Sequence, residues 1–432
     1  MKKRLSFLFA SIIISVPLFA STLTLSESDA ISLALNQNYD LKSSLIDLLK
    51  VEDQKNNSWN VMLPDLSLEG SVTNSNAILG SSDDDYIKIT GSLSSSVTLN
   101  KSNKYSMDYD NLEYEAELLN YEDAQNSLEN EVKKAFYYLI ANQQSLEIKE
   151  MNLDLALKRW EQMQSKYDNG LASELEVLEA QSTYENLKPE YTTAYTSYQT
   201  QLMNFKSFLG IDLDREIELE GDLDVEILDL DADTLISRFL NNRIDILNAQ
   251  KEIEIQNVLY NIERSSDLSP SLDLSFDYSY YNSDLLDDDW TDAASITATV
   301  SIPLNGYING SEEDIAISDA QRDVEIAQLS YEDTVEDAQK EIQTLIWEIE
   351  SYKENIEICE LAIDISQKTY DATEEAYNLG ATELLNLSEA QATLFSAKQD
   401  LLTSQYNYLS AVFDLEEALN ASIDEIKSIS KL

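Results

Sequence analysis

A mainly α-helical fold with a small β part is what this sequence predicts: long helical hairpins of coiled-coil type, joined to four strands. Three observations carry that expectation. Tyr105 to Tyr167 and Glu312 to Tyr377 contain neither glycine nor proline. Period-two alternation of apolar residues follows Pro64 and again Pro270. The chain also repeats itself: Tyr167-Asp168-Asn169-Gly170, followed by Glu179-Ala180-Gln181, returns 210 residues later as Tyr377-Asn378-Leu379-Gly380, followed by Glu389-Ala390-Gln391. Only nine glycines serve 432 residues, so two at equivalent points of long helical stretches mark a duplicated helix, turn, helix unit.

Residues 1–20 open with Lys2, Lys3 and Arg4, run apolar from Leu5 to Val16 and reach Ala20 before Ser21. That pattern predicts a secretory signal cleaved after Ala20; an N-terminal anchor is the other reading, but the run falls short of the roughly 20 residues a spanning helix needs. A first repeat is expected over 21–220 and a second over 221–432, two similar halves interwoven, with the number of cores left open. Leu25 to Trp59 carries apolar residues at helical spacing behind the capping groups of Ser26 to Asp29, and predicts one or two helices. Its counterpart is Leu230 to Arg264, where Leu240-Asn241-Asn242-Arg243 aligns with Leu35-Asn36-Gln37-Asn38 at an offset of 205.

Each of these helical segments stops at a proline and gives way to strands. Leu66, Leu68, Gly70 and Val72 alternate with polar residues, as do Leu272, Leu274, Phe276, Tyr278 and Tyr280. Acidic tips follow at Asp83-Asp84-Asp85 and Asp287-Asp288-Asp289, and return strands alternate through Ile87 to Leu99 and Ile296 to Leu304. One hairpin is therefore expected over 64–100 and another over 270–304. A lone two-stranded ribbon is marginal in water and its open edges invite pairing. Four such strands need either a soluble packing face or closure with copies of themselves, and strands of about ten residues match what a tilted barrel strand needs to cross a bilayer.

Long helical hairpins follow over 105–209 and 312–420. At 1.5 Å per residue, about sixty residues make a rod of roughly 90 to 100 Å. Beyond the glycine turns runs a seven-residue stripe, Tyr184, Tyr191, Tyr198 and Phe205, matched by Leu394, Leu401, Tyr408 and Leu415. Seven-residue recurrence predicts a coiled-coil seam, and an aromatic stripe of this kind is packing rather than a ligand site. Pro189 inside the first partner helix predicts a kink or break, since it removes a backbone donor and clashes with the preceding turn.

Composition excludes several functions. Removing residues 1–20 takes three basic and no acidic residues, leaving 26 Lys and Arg against 81 Asp and Glu, a formal charge of −55. Nucleic acid is not an expected partner. The acidity suits a solvated surface or, alternatively, a cation-favouring lumen. Cys359 is the only cysteine and histidine is absent, so no disulfide forms within the chain and no imidazole serves as base or metal ligand. Adjacent carboxylates such as Glu374 and Glu375 diverge on a helix, and no glycine loop cradles phosphate. No enzyme activity, cofactor or metal is expected. After Ala20 no run of about 18 apolar residues occurs, so any entry into a membrane must use strands.

The paired Tyr-x-x-Gly turns with downstream Glu-Ala-Gln, the run Ser396-Ala397-Lys398-Gln399-Asp400-Leu401 leading to Tyr406-Asn407-Tyr408-Leu409, and the duplicated order of helix, hairpin and long helical hairpin resemble the TolC-type outer-membrane efflux channels. The resemblance covers Leu25 to about Asn420. It implies a homotrimer whose four strands per chain close a twelve-stranded transmembrane β-barrel in outer-membrane lipid of a diderm bacterium, continued by an α-helical tunnel in the periplasm. It implies a periplasmic adaptor and an inner-membrane transporter as partners, with the channel as a passive exit duct for small molecules or polypeptide in efflux or type I secretion. A secreted coiled-coil structural or adhesive protein is the alternative; it leaves the paired hairpins unexplained.

The resemblance also places a gate at the periplasmic tip, where acidic positions beyond the second glycine ring the opening. The matching positions are Asn386 and Glu389, with Glu176 and Glu179 in the first half, so one ring position lacks its charge. Three copies of Glu389 would concentrate a negative field; on residues alone it reads as a solvated coiled-coil position. The family's closing arginine, its acidic partner and its tyrosine fall on Thr382, Glu176 and Tyr377. Thr382 cannot form that ion pair, so the closed state is expected to rely on Tyr377 and helix packing. Gly170, Gly380 and Tyr167 mark the hairpin tips and the expected adaptor contact.

Overall fold

The computed structural model describes residues 23–75, 86–282 and 289–430. The signal segment, Asp83-Asp84-Asp85 and two of the three aspartates in Asp287-Asp288-Asp289 lie outside the described residues. The chain forms two compact units, one of Met1–Asn38, Glu131–Val225 and Asn355–Asn407, the other of Tyr39–Asn130, Glu226–Glu354 and Tyr408–Leu432. Each draws chain from both sides of residue 220.

In the first unit, β1 (Leu23–Leu25) pairs in parallel with β4 (Ile217–Leu219), Leu23 opposite Ile217. Helix α1 (Glu27–Gln37) opens with a reciprocal capping box between Ser26 and Asp29. It ends at Asn38, whose side-chain amide donates to the Phe208 carbonyl at 3.2 Å. Gly210 needs its identity: φ is +70°, and a Cβ there would stand 2.9 Å from Gln37 Cβ. The remaining helices are parts of α3 (Lys101–Asp168) and α7 (Glu312–Asn378), all of α4 (Glu174–Phe208), and α8 (Leu384–Leu419) as far as Asn407. Val132, Phe136, Leu139, Met163, Leu202 and Phe205 are buried among them.

In the second unit, α2 (Tyr39–Asn56) ends in a 3₁₀ turn over Ser58–Met62, and α5 (Ala232–Phe239) leads through a 3₁₀ turn to α6 (Ile244–Leu268). The predicted helical segment Leu25 to Trp59 is thus two helices. Its break at Asn38 (φ −55°, ψ 135°) has the backbone conformation of Arg243 (φ −63°, ψ 135°) at the aligned position of the second half. The C-terminal α9 (Ile423–Ser430) buries Ile426. Ile244, Ile246, Ala338, Ile342, Ile346, Tyr408, Leu415 and Leu419 are also buried. Tyr408 accepts a hydrogen bond from the Leu228 amide at 2.8 Å and donates to the Glu226 carbonyl at 3.3 Å.

This unit also holds one antiparallel sheet in the order β2 (Asp65–Ser75), β3 (Tyr86–Leu99), β5 (Ser271–Asn282), β6 (Trp290–Ser301). Register places Leu68 opposite Leu93, Leu93 opposite Tyr278, and Tyr278 opposite Ala294, so one face is apolar across all four strands. The other face carries Glu69, Ser92, Ser94, Asp277 and Ser279. Leu68 and Ile296 on the apolar face are each 85% exposed. On β5 the apolar Leu274, Phe276, Tyr278 and Tyr280 are exposed, whereas Asp273, Ser275, Ser279 and Tyr281 of the polar face are half-buried. β2 and β6 are the two edge strands.

The long helices start or end within a few residues of expectation, α3 beginning four residues upstream of Tyr105. None of the eight seam residues is exposed, and Phe205, Leu394, Tyr408 and Leu415 are buried. Pro189 does not break its helix: α4 runs through it from Glu174 to Phe208. Pro189 and Glu185, whose carbonyl loses its helical donor, are both exposed, so that carbonyl is left on the solvent side of the helix, where losing its donor costs least.

Candidate functional site

The repeated Tyr-x-x-Gly motif is a helix stop. Gly170 at the end of α3 has φ +71° and Gly380 at the end of α7 has φ +72°, the left-handed conformation that glycine adopts without steric cost. The Gly170 amide donates to the Tyr167 carbonyl at 2.8 Å and the Leu171 amide to the Lys166 carbonyl at 2.8 Å. Gly380 to Tyr377 at 2.9 Å and Ala381 to Ala376 at 2.8 Å repeat the pattern. This paired closure satisfies carbonyls that the helix end would otherwise leave open.

The two restarts differ. Ser173 caps α4, its hydroxyl accepting from the Glu176 amide at 3.3 Å, while the Glu176 carboxylate accepts from the Ser173 amide at 2.7 Å and hydroxyl at 2.8 Å. These bonds hold the Glu176 carboxyl below its ordinary pKa. In the second half Glu383 stands where Ser173 does and Asn386 where Glu176 does. The Asn386 amide turns back to the Thr382 hydroxyl at 2.9 Å. Thus Asn386 bonds back to Thr382 where Glu176 closes a capping box with Ser173.

The remaining predicted residues sort by burial. Tyr377 is half-buried against a cluster of Met163, Val177, Ala180 and Leu384, and Trp160 packs there too. Its hydroxyl donates to Met163 Sδ at 3.4 Å. Burial raises the Tyr377 pKa, the nearby Glu176 charge adds to that, and Arg159 opposes it. Glu179, Glu389 and Asn386 are exposed, Thr382 is half-buried, and Tyr167 is 42% exposed. Leu171, Leu175, Leu178, Leu379 and Leu385 are exposed apolar residues around the two turns.

One constellation escaped the sequence reading. Arg159, the single arginine of α3, is almost buried, its side chain 13% exposed. Its Nη2 donates to the Tyr370 hydroxyl at 3.0 Å and lies 3.9 Å from Glu374, and its Nη1 donates to Gln391 Oε1. Tyr370 in turn donates to Glu374 at 2.9 Å, and the Gln391 amide donates to Asn152 Oδ1 at 2.6 Å. Burial, then the bond to Glu374, raises the Tyr370 pKa, so the phenol stays a neutral donor. The repeated Glu-Ala-Gln motif thereby gains a physical role: its glutamine, buried at Gln391, ties α8 to α3, and Arg159 ties both to α7. A lone arginine among the acidic residues of α3 was the available signal; its partners lie more than 200 positions away, beyond what spacing can show.

Two glycine-stopped helical hairpins and a four-stranded sheet with exposed apolar residues define the chain's architecture, and comparison with known proteins supplies the class, outer-membrane efflux channels. The family model described as outer membrane efflux protein matches residues 30–211 and 235–421. The chain belongs to that family. It is 22% identical over 401 residues to the outer membrane protein TolC of Salmonella enteritidis, covering 88% of this chain and 79% of that protein. It is 23% identical over 295 residues to the probable efflux pump outer membrane protein TtgC of Pseudomonas putida, covering 67% of this chain and 59% of that relative's length. Among solved structures, the Campylobacter jejuni CmeC outer membrane channel superposes with a TM-score of 0.76 at 19% identity, covering 94% of this chain and 89% of that one. The outer membrane protein VceC of Vibrio cholerae gives 0.73 at 20% identity, covering 92% and 96%. These structural likenesses concern the fold.

Proposed function

We propose that this protein is the outer-membrane exit duct of a tripartite efflux or type I secretion system, a passive channel with no catalytic step of its own. The observation that carries the reading is the sheet: large apolar side chains such as Leu68, Leu93, Phe276 and Ile296 stand exposed on one face of all four strands, polar residues of the central strands on the other face (Ser92, Ser94, Ser275 and Ser279) are half-buried, and both edges are open. In water that arrangement is unfavourable on every count; in lipid, with edges closed against copies of the chain, each count reverses. Strands of 11 to 14 residues suffice to cross a bilayer at a tilt. Three chains of four strands give a barrel of twelve, and the helical hairpins form the periplasmic tunnel. The family match and the relatives named as efflux pump components support this assignment.

The hairpin tips are the proposed gate and adaptor contact. Glu389, Glu179 and Glu176 supply negative charge at the opening, Asn386 and Thr382 the uncharged positions, and Tyr377 packs the tip closed. Gly170, Gly380 and Tyr167, with the exposed leucines beside them, present an apolar surface suited to a periplasmic adaptor that links the duct to an inner-membrane transporter. Arg159 takes the part of the latch that Thr382 cannot play.

The test is fractionation followed by conductance. The protein is expected to sediment with outer membranes, to migrate as a trimer in mild detergent and to form ion-conducting pores in planar bilayers. A protein released to the medium, monomeric without detergent, would sink the reading in favour of a secreted rod.

A further inference from the structure

Lys88 is the single basic residue on the four described strands of the sheet, whose 49 residues include Asp65, Glu69, Asp273, Asp277 and Asp292. It lies on the polar face: Thr73 pairs with Lys88 and Thr90 pairs with Tyr281, while Ile87 and Ile89 on either side point to the apolar face. Its ammonium stands 4.6 Å from the centroid of the Tyr281 ring, also on the polar face. Both side chains are half-buried. An aromatic face attracts a cation through its quadrupole, so Tyr281 draws the ammonium across the strands.

Position along the strands gives this pair its meaning. β2 and β6 meet β3 and β5 at the hairpin-tip end through Ser75, Tyr86, Asn282 and Trp290, and Lys88 and Tyr281 lie within two residues of that end. Glu69 and Asp277 follow toward the middle, and Asp273 and Asp65 lie near the end that continues into helices. Along the polar face of the strands themselves, a solute coming from the helices therefore passes carboxylates before it reaches the ammonium, and the aspartates of the two hairpin tips follow in sequence beyond the strands.

We propose that Lys88, positioned by Tyr281, is a selectivity-determining residue of the duct, a ring of three ammonium groups near the hairpin-tip end of the strands that offsets the carboxylates of the polar face and shifts ion preference toward anions. The proposal rests on the channel reading given above, in which the polar face lines the lumen. Rings of like-charged side chains set ion preference in pores because the low-dielectric wall concentrates their field. The effect is local, since charges more than about 8 Å away are screened at physiological salt. Tyr281 makes the ring effective by limiting the rotamer freedom of a long side chain whose ammonium would otherwise wander.

Ion selectivity in planar bilayers tests this. Reversal potentials in a KCl gradient are compared for the native trimer, Lys88→Gln, Lys88→Glu and Tyr281→Ala. Lys88→Gln is expected to raise the potassium-to-chloride permeability ratio by at least about twofold, Lys88→Glu to raise it further, and Tyr281→Ala to move it in the same direction by less, all with native trimer yield. Unchanged ratios in conducting Lys88 variants would overturn the proposal while leaving the duct intact. Pores absent from every protein, native included, would instead overturn the channel reading. Should Lys88→Glu fail to assemble, Lys88→Gln carries the decision alone.

Discussion

The helical hairpins of the first unit and the four-stranded sheet of the second sort their apolar residues in opposite senses. Phe136, Leu139, Met163 and Leu387 are each at most 2% exposed, whereas Leu68 and Ile296 are 85% exposed and serines on the opposite face of β5 are half-buried. The same hydrophobic term produces both. Where water surrounds an element, burial of a side chain as large as Phe136 stabilises by about 1.5–3 kcal/mol; where lipid surrounds it, burying the peptide and polar groups is what matters. One chain is thus composed for two solvents, and the helices are no guide to how the strands should be read.

Core truncation and charge insertion break that comparison most sharply. Phe136, edge-on to Tyr137 and packed against Phe205 with ring centroids 6.5 Å apart, fills the space beside Gly221. Phe136→Ala is expected to destabilise the helical unit by about 3–5 kcal/mol, read from urea unfolding. Leu68→Arg is expected to cost the inserted trimer about 2–4 kcal/mol in vesicles, with Ser94→Arg on the opposite face costing far less. Equal tolerance of arginine at 68 and 94 would mean that the apolar face never meets lipid.

Legibility followed the same division. Alternation through Leu66, Leu68 and Val72 revealed strands and their apolar face, because period two is a local property. It could not reveal which face is wet, since a soluble sheet and a barrel strand read alike. The glycine turns were readable because Gly170 and Gly380 answer a local backbone demand, a left-handed helix stop. The break expected at Pro189 does not occur, because the carbonyl that loses its donor lies on an exposed side of the helix, where losing its donor costs least. The proposed gate positions Thr382, Glu176 and Tyr377 came from their place in the family's motif. The meeting of Arg159 and Gln391 did not, because it depends on how three helices lie against one another.

The Arg159 constellation sharpens the comparison from within the helical unit, where a polar tie occupies a nearly dry place. Removing the guanidinium leaves the Gln391 and Tyr370 groups without their shared partner, a loss of about 1.5–3 kcal/mol for a hydrogen bond to a charged group. Arg159→Ala is expected to raise single-channel conductance by loosening α3 from α7 and α8, and Arg159→Lys to restore it only in part, because an ammonium cannot span both acceptors as a planar fork does. Conductance unchanged in Arg159→Ala would remove Arg159 from the gate and leave closure to the packing of Tyr377.

The smallest effect separates the two tips from each other. Glu176 titrates within its capping box, whereas Asn386 at the matching place does not titrate at all. Because the folded pKa of Glu176 is lowered, its contribution is present above the ordinary carboxyl value and is lost as pH falls through the folded one. The carboxyl is largely solvated, so the contribution is discounted to less than about 1 kcal/mol. Amide hydrogen exchange at the start of α4 is therefore expected to lose protection on acidification below about pH 4, while the start of α8 stays level. Glu176→Gln should flatten the α4 response, since a carboxamide retains an acceptor for the Ser173 amide at every pH. An α8 response of equal size would trace the acid sensitivity to the general carboxylate load of the chain and away from this box.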